Sequence, residues 1–169
     1  PHLVPIKLHD TVEKTLRLIH EQLSQKNIAL NNNLQAKHDL ISGDADLLTQ
    51  TLVNVNLNAI EAIESGGVIN VTTSNRTYRF AQGDNPDNAI SKPCIRLQVS
   101  DTGKGIARDQ LQKIFDPFFT SKSKGTGMGL SVAHGIIKEH HGAIEVESRQ
   151  GKGTTFNIYI PILKEDVAV

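Results

Sequence analysis

GTGMGL at residues 125–130 sets three glycines at alternate positions directly ahead of an apolar-periodic segment, Leu130, Ala133, Ile136 and Ile137. Such a run can turn bare backbone N–H groups toward a phosphate where a helix N-terminus adds its positive dipole end. Glycines also cap and connect helices without binding anything, so the run alone leaves both readings open. Two other stretches weigh on the choice: DTGKG at 101–105 and an asparagine-studded helical segment at 54–58. A P-loop needs GxxxxGK followed by Ser or Thr, and a dinucleotide fold needs GxGxxG; neither pattern occurs in the chain. Any phosphate cradle here is of another type.

Composition narrows the class. A chain of 169 residues with 38% hydrophobic content suits one α/β domain with a sizeable core. Eighteen basic and eighteen acidic residues cancel, which removes the general pull toward nucleic acid or anionic lipid. No stretch approaches the roughly 20 apolar residues of a membrane helix, and no charged-then-apolar leader opens the chain. Cys94 is the only cysteine, so internal disulfides and thiolate zinc clusters are excluded and a reducing cytoplasm is the natural compartment. The chain opens on Pro1 and its only methionine is Met128, from which a piece of a longer polypeptide is expected.

Periodicity predicts the elements. Val12, Leu16, Ile19 and Leu23 share a helical stripe over His9 to about Lys26, after a short strand at Leu3 to Leu8. Extended chain is expected over Asn27 to Leu34 and Asp39 to Ile41, then a second helix with Asp44 as N-cap, running to about Glu64 and closed by Gly66 and Gly67. Val68 to Tyr78 and Cys94 to Asp101 read as strands, with AQGDNPDNAISKP at 81–93 as a mobile surface loop between them. A short helix is expected between Ala107 and Phe115 and another from the glycine run to Gly142. Ile144 to Glu147 and Thr155 to Ile160 form a closing hairpin around GKG at 151–153.

Two of these elements carry chemistry. In Ile95, Leu97, Val99, Asp101 alternate residues share one face, so a carboxylate is delivered among core aliphatics. It needs a donor; an adenine amino group is one, with Gly103 and Gly105 letting a flat base approach, and a turn cap is another. On the second helix Gln50, Asn54, Asn58 and Glu61 line one face. Asparagine is a poor helix former, and its amide oxygen is a neutral hard ligand suited to magnesium; the alternative is a solvated polar face.

QTLVNVNLNAIEA at 50–62, DTGKGI at 101–106, FDPFFTSK at 115–122, GTGMGL at 125–130 and GKGTTFNIYIP at 151–161 follow one another in a familiar order. They resemble the N box, first glycine box, F box, second glycine box and closing strand of the ATP-binding catalytic domain of sensor histidine kinases, over about residues 3 to 162. The resemblance implies a two-layer α/β sandwich, a mixed sheet covered on one face by helices, shared with gyrase, heat-shock and mismatch-repair ATPases. It implies ATP and Mg2+ as ligands, with the nucleotide between the helical layer and a lid at about 117–126. Asn58 resembles the magnesium-coordinating asparagine, and Asn54 the residue one turn earlier that faces the phosphates. Asp101 resembles the adenine-reading carboxylate, Gly103 and Gly105 the base-approach glycines, and Thr154 the hydroxyl that supports the base through Asp101 or water. Ala62 and Ile106 fall at nucleotide-contacting positions of the same motifs. Gly125, Thr126, Gly127, Met128, Gly129 and Leu130 would anchor the lid and phosphates, Phe115, Phe118 and Phe119 match the F box, and Lys122 would reach the terminal phosphate. Asn54 and Lys122 are thus the expected catalytic residues.

The implied activity is transfer of the ATP γ-phosphoryl group to a histidine on the protein's own dimerisation domain, in a homodimeric parent, for relay to a response regulator receiver domain. The implied partners include no nucleic acid and no membrane contact by this chain; the parent's own anchoring is left open. Gyrase-like relatives carry a glutamate at the Asn54 position to activate water, and an amide cannot act as that base. Alternatives on the same fold are an anti-sigma-type serine kinase and an ATP-gated conformational module. Glu61 and Ala62 depart from the basic or aromatic residue many relatives carry, as in an NAIEA sub-branch. Asn56 falls within the apolar stripe of Leu52 and Ile60, where it needs a partner or costs about 1 to 3 kcal/mol. The phosphoacceptor motif is not found, and its nearest imitation, His20, is expected to be a solvated helix residue. The acceptor is expected upstream of Pro1. His134, His140 and His141 are spaced against convergence on one metal.

Overall fold

Period-two alternation in long strands governs the computed structural model, which describes residues 1–117, 119 and 129–164. In chain order the elements are β1 (Val4–Lys7), α1 (Leu8–Leu18), α2 (His20–Gln25), β2 (Ala29–Leu34), β3 (Leu40–Gly43), α3 (Ala45–Glu61), β4 (Val68–Gln82), β5 (Asn85–Asp101), α4 (Arg108–Leu111), α5 (Gly129–Glu139), β6 (Ala143–Arg149) and β7 (Gly153–Pro161). The main sheet has the order β2-β4-β5-β7-β6, with β2 parallel to β4 and the other neighbours antiparallel. β1 and β3 form a separate antiparallel pair.

One face of the main sheet presents Ile69, Val71, Ile95, Leu97, Val99, Phe156, Ile158 and Ile160, all buried. They share a core with Val12 and Leu16 of α1, Leu48, Leu52, Val55, Ala59 and Ile60 of α3, and Ile137 of α5. Each fully buried Val, Leu, Ile or Phe among them stabilises the fold by about 1.5 to 3 kcal/mol. The other face carries polar cross-strand bonds: Gln98 Nε2 donates to Asn157 Oδ1 at 3.0 Å, and the Ser100 and Thr155 hydroxyls meet at 2.9 Å. The result is the expected two-layer sandwich with helices on one side.

The helix expected from His9 to Lys26 is interrupted at Ile19, whose ψ of 4° leaves the helical region. One turn earlier the Thr15 hydroxyl bonds back to Thr11 O at 2.9 Å, a contact that bends helices. The stripe survives the break, since Ile19 and Leu23 remain buried. A second difference is larger. The stretch 81–93 is mostly paired strand rather than a loop, with Phe80 opposite Ile90 and Tyr78 opposite Lys92, and a turn at Gly83 with φ of 65°. Aromatic contacts explain it: Tyr78 stacks on Tyr159 at 4.1 Å and meets Phe80 edge-on at 4.9 Å, while its hydroxyl donates to Glu145 Oε1 at 2.6 Å. Pro86 and Pro93 are tolerated because a ribbon of two strands leaves alternate N–H groups outside the ladder.

The short helix expected between Ala107 and Phe115 is a single turn, Arg108–Leu111. α5 ends at Glu139 in a Schellman arrangement, Gly142 N–H to Ile137 O and His141 N–H to Lys138 O, both 2.9 Å. His141 takes the left-handed position, φ 59°, that glycine usually fills.

Candidate functional site

α3 is fixed at both ends before its polar face can act. Asp44 Oδ1 accepts from Leu47 N–H at 3.2 Å, the expected N-cap, and Asp44 N–H donates to His140 Nε2 at 2.9 Å. With Nε2 accepting, the proton sits on Nδ1, which donates to Ile136 O at 2.7 Å, so His140 joins the two helices rather than binding metal. At the other end Lys26 Nζ donates to Ile60 O and Ile63 O, both at 2.9 Å, placing a cation at the carbonyl end of the helix. Nothing in the spacing of Lys26 pointed to this role, because the contact spans more than 30 residues.

Between these ends the amides are oriented. Asn54 Nδ2 donates to Gly129 O at 3.2 Å, which joins the middle of α3 to the first residue of α5. Asn58 Nδ2 donates to Asn54 O at 2.9 Å. Both side chains are half-buried, whereas Gln50 and Glu61 on the same face are exposed. Asn56, two residues from each, is 2% exposed; its Nδ2 donates to Leu52 O at 2.8 Å and its Oδ1 is buried without a partner.

At one end of the sheet three strands finish their inward apolar faces in a polar residue. Ile95, Leu97 and Val99 lead to Asp101; Ile144 and Val146 lead to Ser148; Phe156, Ile158 and Ile160 follow Thr154. Register sets these three side by side, Asp101 opposite Thr154 and Thr154 opposite Ser148. Asp101 is 6% exposed, and its burial pushes the carboxyl above its ordinary range, opposed by the backbone N–H groups of Gly103, at 2.8 Å from Oδ1, and of Thr154. Sequence reading did not single out Ser148, although a polar third member of an inward alternation was the available signal.

The DTGKGI loop closes against this row. Lys104 N–H donates to Ala62 O at 2.9 Å, and a Cβ on Gly103 would stand 2.6 Å from that same oxygen. Gly105 has φ of 72° and a Cβ there would strike Arg149 O, so both glycines are required by the chain's own packing as well as by any base. Ile106 N–H donates to Ser148 Oγ at 2.8 Å and its side chain packs on the core. The structure therefore brings Asn54, Asn58, Gly129 and Leu130 together on one side, and Asp101, Gly103, Gly105, Ile106 and Thr154 on the other, with Ala62 at the junction.

Phe115 lies 5.1 Å from the His134 ring, and burial, then the Lys138 charge, lowers the pKa of His134. Phe119 packs on the core. Phe118, Lys122, Gly125, Thr126, Gly127 and Met128, and with them most of the expected lid, lie outside the described residues. Exposed His20 borders an open surface groove of about 470 Å³ with Glu13, Arg17 and Asn32, consistent with a solvated role. Among the described residues no cluster of three or more His, Cys, Asp or Glu could form a protein cage for a metal. A donor set of amide oxygens completed by phosphates and water suits magnesium, which keeps several non-protein ligands.

An amide-faced helix, an acidic sheet end and a glycine loop between them define a nucleotide-binding ATPase fold. Residues 43–164 match the family described as histidine kinase-, DNA gyrase B- and HSP90-like ATPase, and the chain belongs to that family. Within it the relatives are sensor kinases. The chain is 39% identical over 160 residues to the sensor histidine kinase ZraS of Escherichia coli (strain K12), covering 95% of this chain and 31% of ZraS. It is 41% identical over 155 residues to the sensor kinase CckA of Brucella abortus (strain 2308), covering 89% of this chain and 16% of CckA. The chain thus spans about a third or less of the length of these relatives. Its fold is that of the catalytic domain of the histidine kinase ThkA, with a TM-score of 0.77 at 29% identity over 95% of this chain and 96% of that one. No helix among the described residues is long and apolar enough to cross a membrane.

Proposed function

We propose that this chain is a single ATP-binding catalytic domain of a cytoplasmic sensor histidine kinase region, which transfers the γ-phosphoryl group of ATP to a histidine on a separate dimerisation domain. A response regulator then takes the group onto an aspartate; the solved complex of the similar histidine kinase ThkA with the response regulator protein TrrA supports that partner class. Asp101 and Thr154 receive the adenine, Asn54 faces the phosphates, and Asn58 holds Mg2+ through its amide oxygen. By the motifs they carry, Lys122 and residues 125–130 are assigned to the phosphates. Mg2+, when bound, supplies neutralisation of the phosphate charge. The protein's own part is positioning and fixed dipoles.

The observation that carries this reading is the Asn54 amide bonded to Gly129 at the start of α5. It sets a neutral, non-basic group where phosphates would meet a helix N-terminus, which favours holding ATP for transfer over activating water. The test supplies labelled ATP and a separate dimerisation domain and follows label onto histidine. Transfer is expected with the wild type and lost with Asn58→Ala and Asp101→Ala, the second mainly through weakened nucleotide affinity. Fast hydrolysis by the chain alone, without transfer, would overturn the reading.

A further inference from the structure

The hydroxyl of Ser148 has one proton and two lone pairs, and three partners surround it. Ile106 N–H donates to Oγ at 2.8 Å, Oγ donates to Gly153 O at 2.9 Å, and Thr154 Oγ1 stands 2.8 Å away. With the Ser148 proton on Gly153 O, the third bond has to be donated by Thr154. Both Ser148 lone pairs are then filled, and Thr154 Oγ1 keeps only lone pairs. Directly across the β5–β7 pair stands the Asp101 carboxylate, also an acceptor.

We propose that Ser148 is a positioning residue that determines base specificity: by fixing Thr154 as an acceptor and holding the Ile106 end of the loop, it makes this row select a purine offering an amino group. A purine offering a carbonyl oxygen at that place would set acceptor against acceptor, leaving buried groups unpaired, which is the strong form of discrimination. The inference rests on the nucleotide reading of Asp101 and deepens it. Among the described residues, Asn56 and Thr51 are the buried side chains with an unpartnered oxygen; both lie on α3 and touch neither the row nor the loop in any bond described above.

The test measures Mg·ATP and Mg·GTP binding by calorimetry for the wild type, Ser148→Ala and Ser148→Thr, with melting temperatures and amide hydrogen exchange at Ile106. Ser148→Ala should weaken ATP binding about tenfold, leave GTP binding nearly unchanged and speed exchange at Ile106. Ser148→Thr, which restores a hydroxyl, should recover most of the ATP preference. A Ser148→Ala protein that melts lower yet keeps both ATP affinity and the ATP to GTP ratio would reduce Ser148 to a structural role and overturn the proposal. If Ser148→Ala does not fold, Ser148→Cys, similar in volume with a weaker hydrogen-bonding group, is read by the same criteria. A wild type that binds no ATP would instead overturn the reading of Asp101, and this inference with it.

Discussion

Three asparagines stand two residues apart on α3, and helical geometry sends them to opposite faces. Asn54 and Asn58 are half-buried and bonded to named carbonyls, one of them on α5. Asn56 is buried in the apolar stripe, bonded only to its own helix through Nδ2 and left with an orphan oxygen. The same side chain is thus half-buried at the face proposed to meet the nucleotide and a stability deficit on the other. What differs is burial, which is partial for Asn54 and Asn58 and nearly complete for Asn56, together with the bond that ties Asn54 to α5.

The strongest way to break that comparison is to exchange consequences between the faces. Leu52→Ala, on the buried face, should lower stability by about 2 to 5 kcal/mol while folded protein keeps its nucleotide affinity. Asn58→Ala should do the reverse, lowering label transfer about 100-fold or more with little change in melting temperature. Equal effects of both variants on both measurements would erase the distinction between the faces. Denaturant titration and phosphotransfer assays check the pair.

Asn56→Leu sharpens the contrast. Removing the orphan oxygen should raise stability by about 1 to 3 kcal/mol, read as a higher melting temperature with unchanged ATP binding. An unchanged or lower melting temperature would mean that Asn56 has a partner the bonding above does not include.

Asp101 extends the same logic to the sheet. Its carboxyl is raised above 3.8 in the folded state, so the folded protein holds this proton more tightly than the unfolded chain. Stability from this group is therefore greatest below the unfolded value and declines as pH rises from there through the folded value. Asp101→Asn should melt at or above the wild type at pH 7, with the gap narrowing as pH falls toward 3.8, and should bind ATP poorly. A variant that melts lower at pH 7 would show that Gly103 and Thr154 N–H groups outweigh the burial. The smallest expected effect is at His141, where glycine should relieve a left-handed backbone by about 0.5 to 1 kcal/mol, seen as a rise of a few degrees in melting temperature.

Much of this was legible in local pattern. The inward alternation ending at Asp101, the Asp44 cap and the amide face of α3 all lie within single elements, so spacing alone exposes them. The bonding partners of Ser148 and Lys26 were not legible, because residues 106, 153 and 154 for the first and 60 and 63 for the second are brought up by register and packing between segments. The stretch 81–93 misled for another reason. Its Gly, Asn, Asp and Pro content describes a tight turn, yet Tyr78 and Phe80 on one strand and stacking on Tyr159 extend pairing through it.

The Lys26 contact and the β2 strand both lie ahead of residue 43, where the family match begins. An excised piece trimmed to that boundary would uncover the β4 margin from Val68 to Thr73 and strip the ammonium from the α3 terminus. Bare ladder groups of this kind recruit other chains, so a piece trimmed there is expected to self-associate.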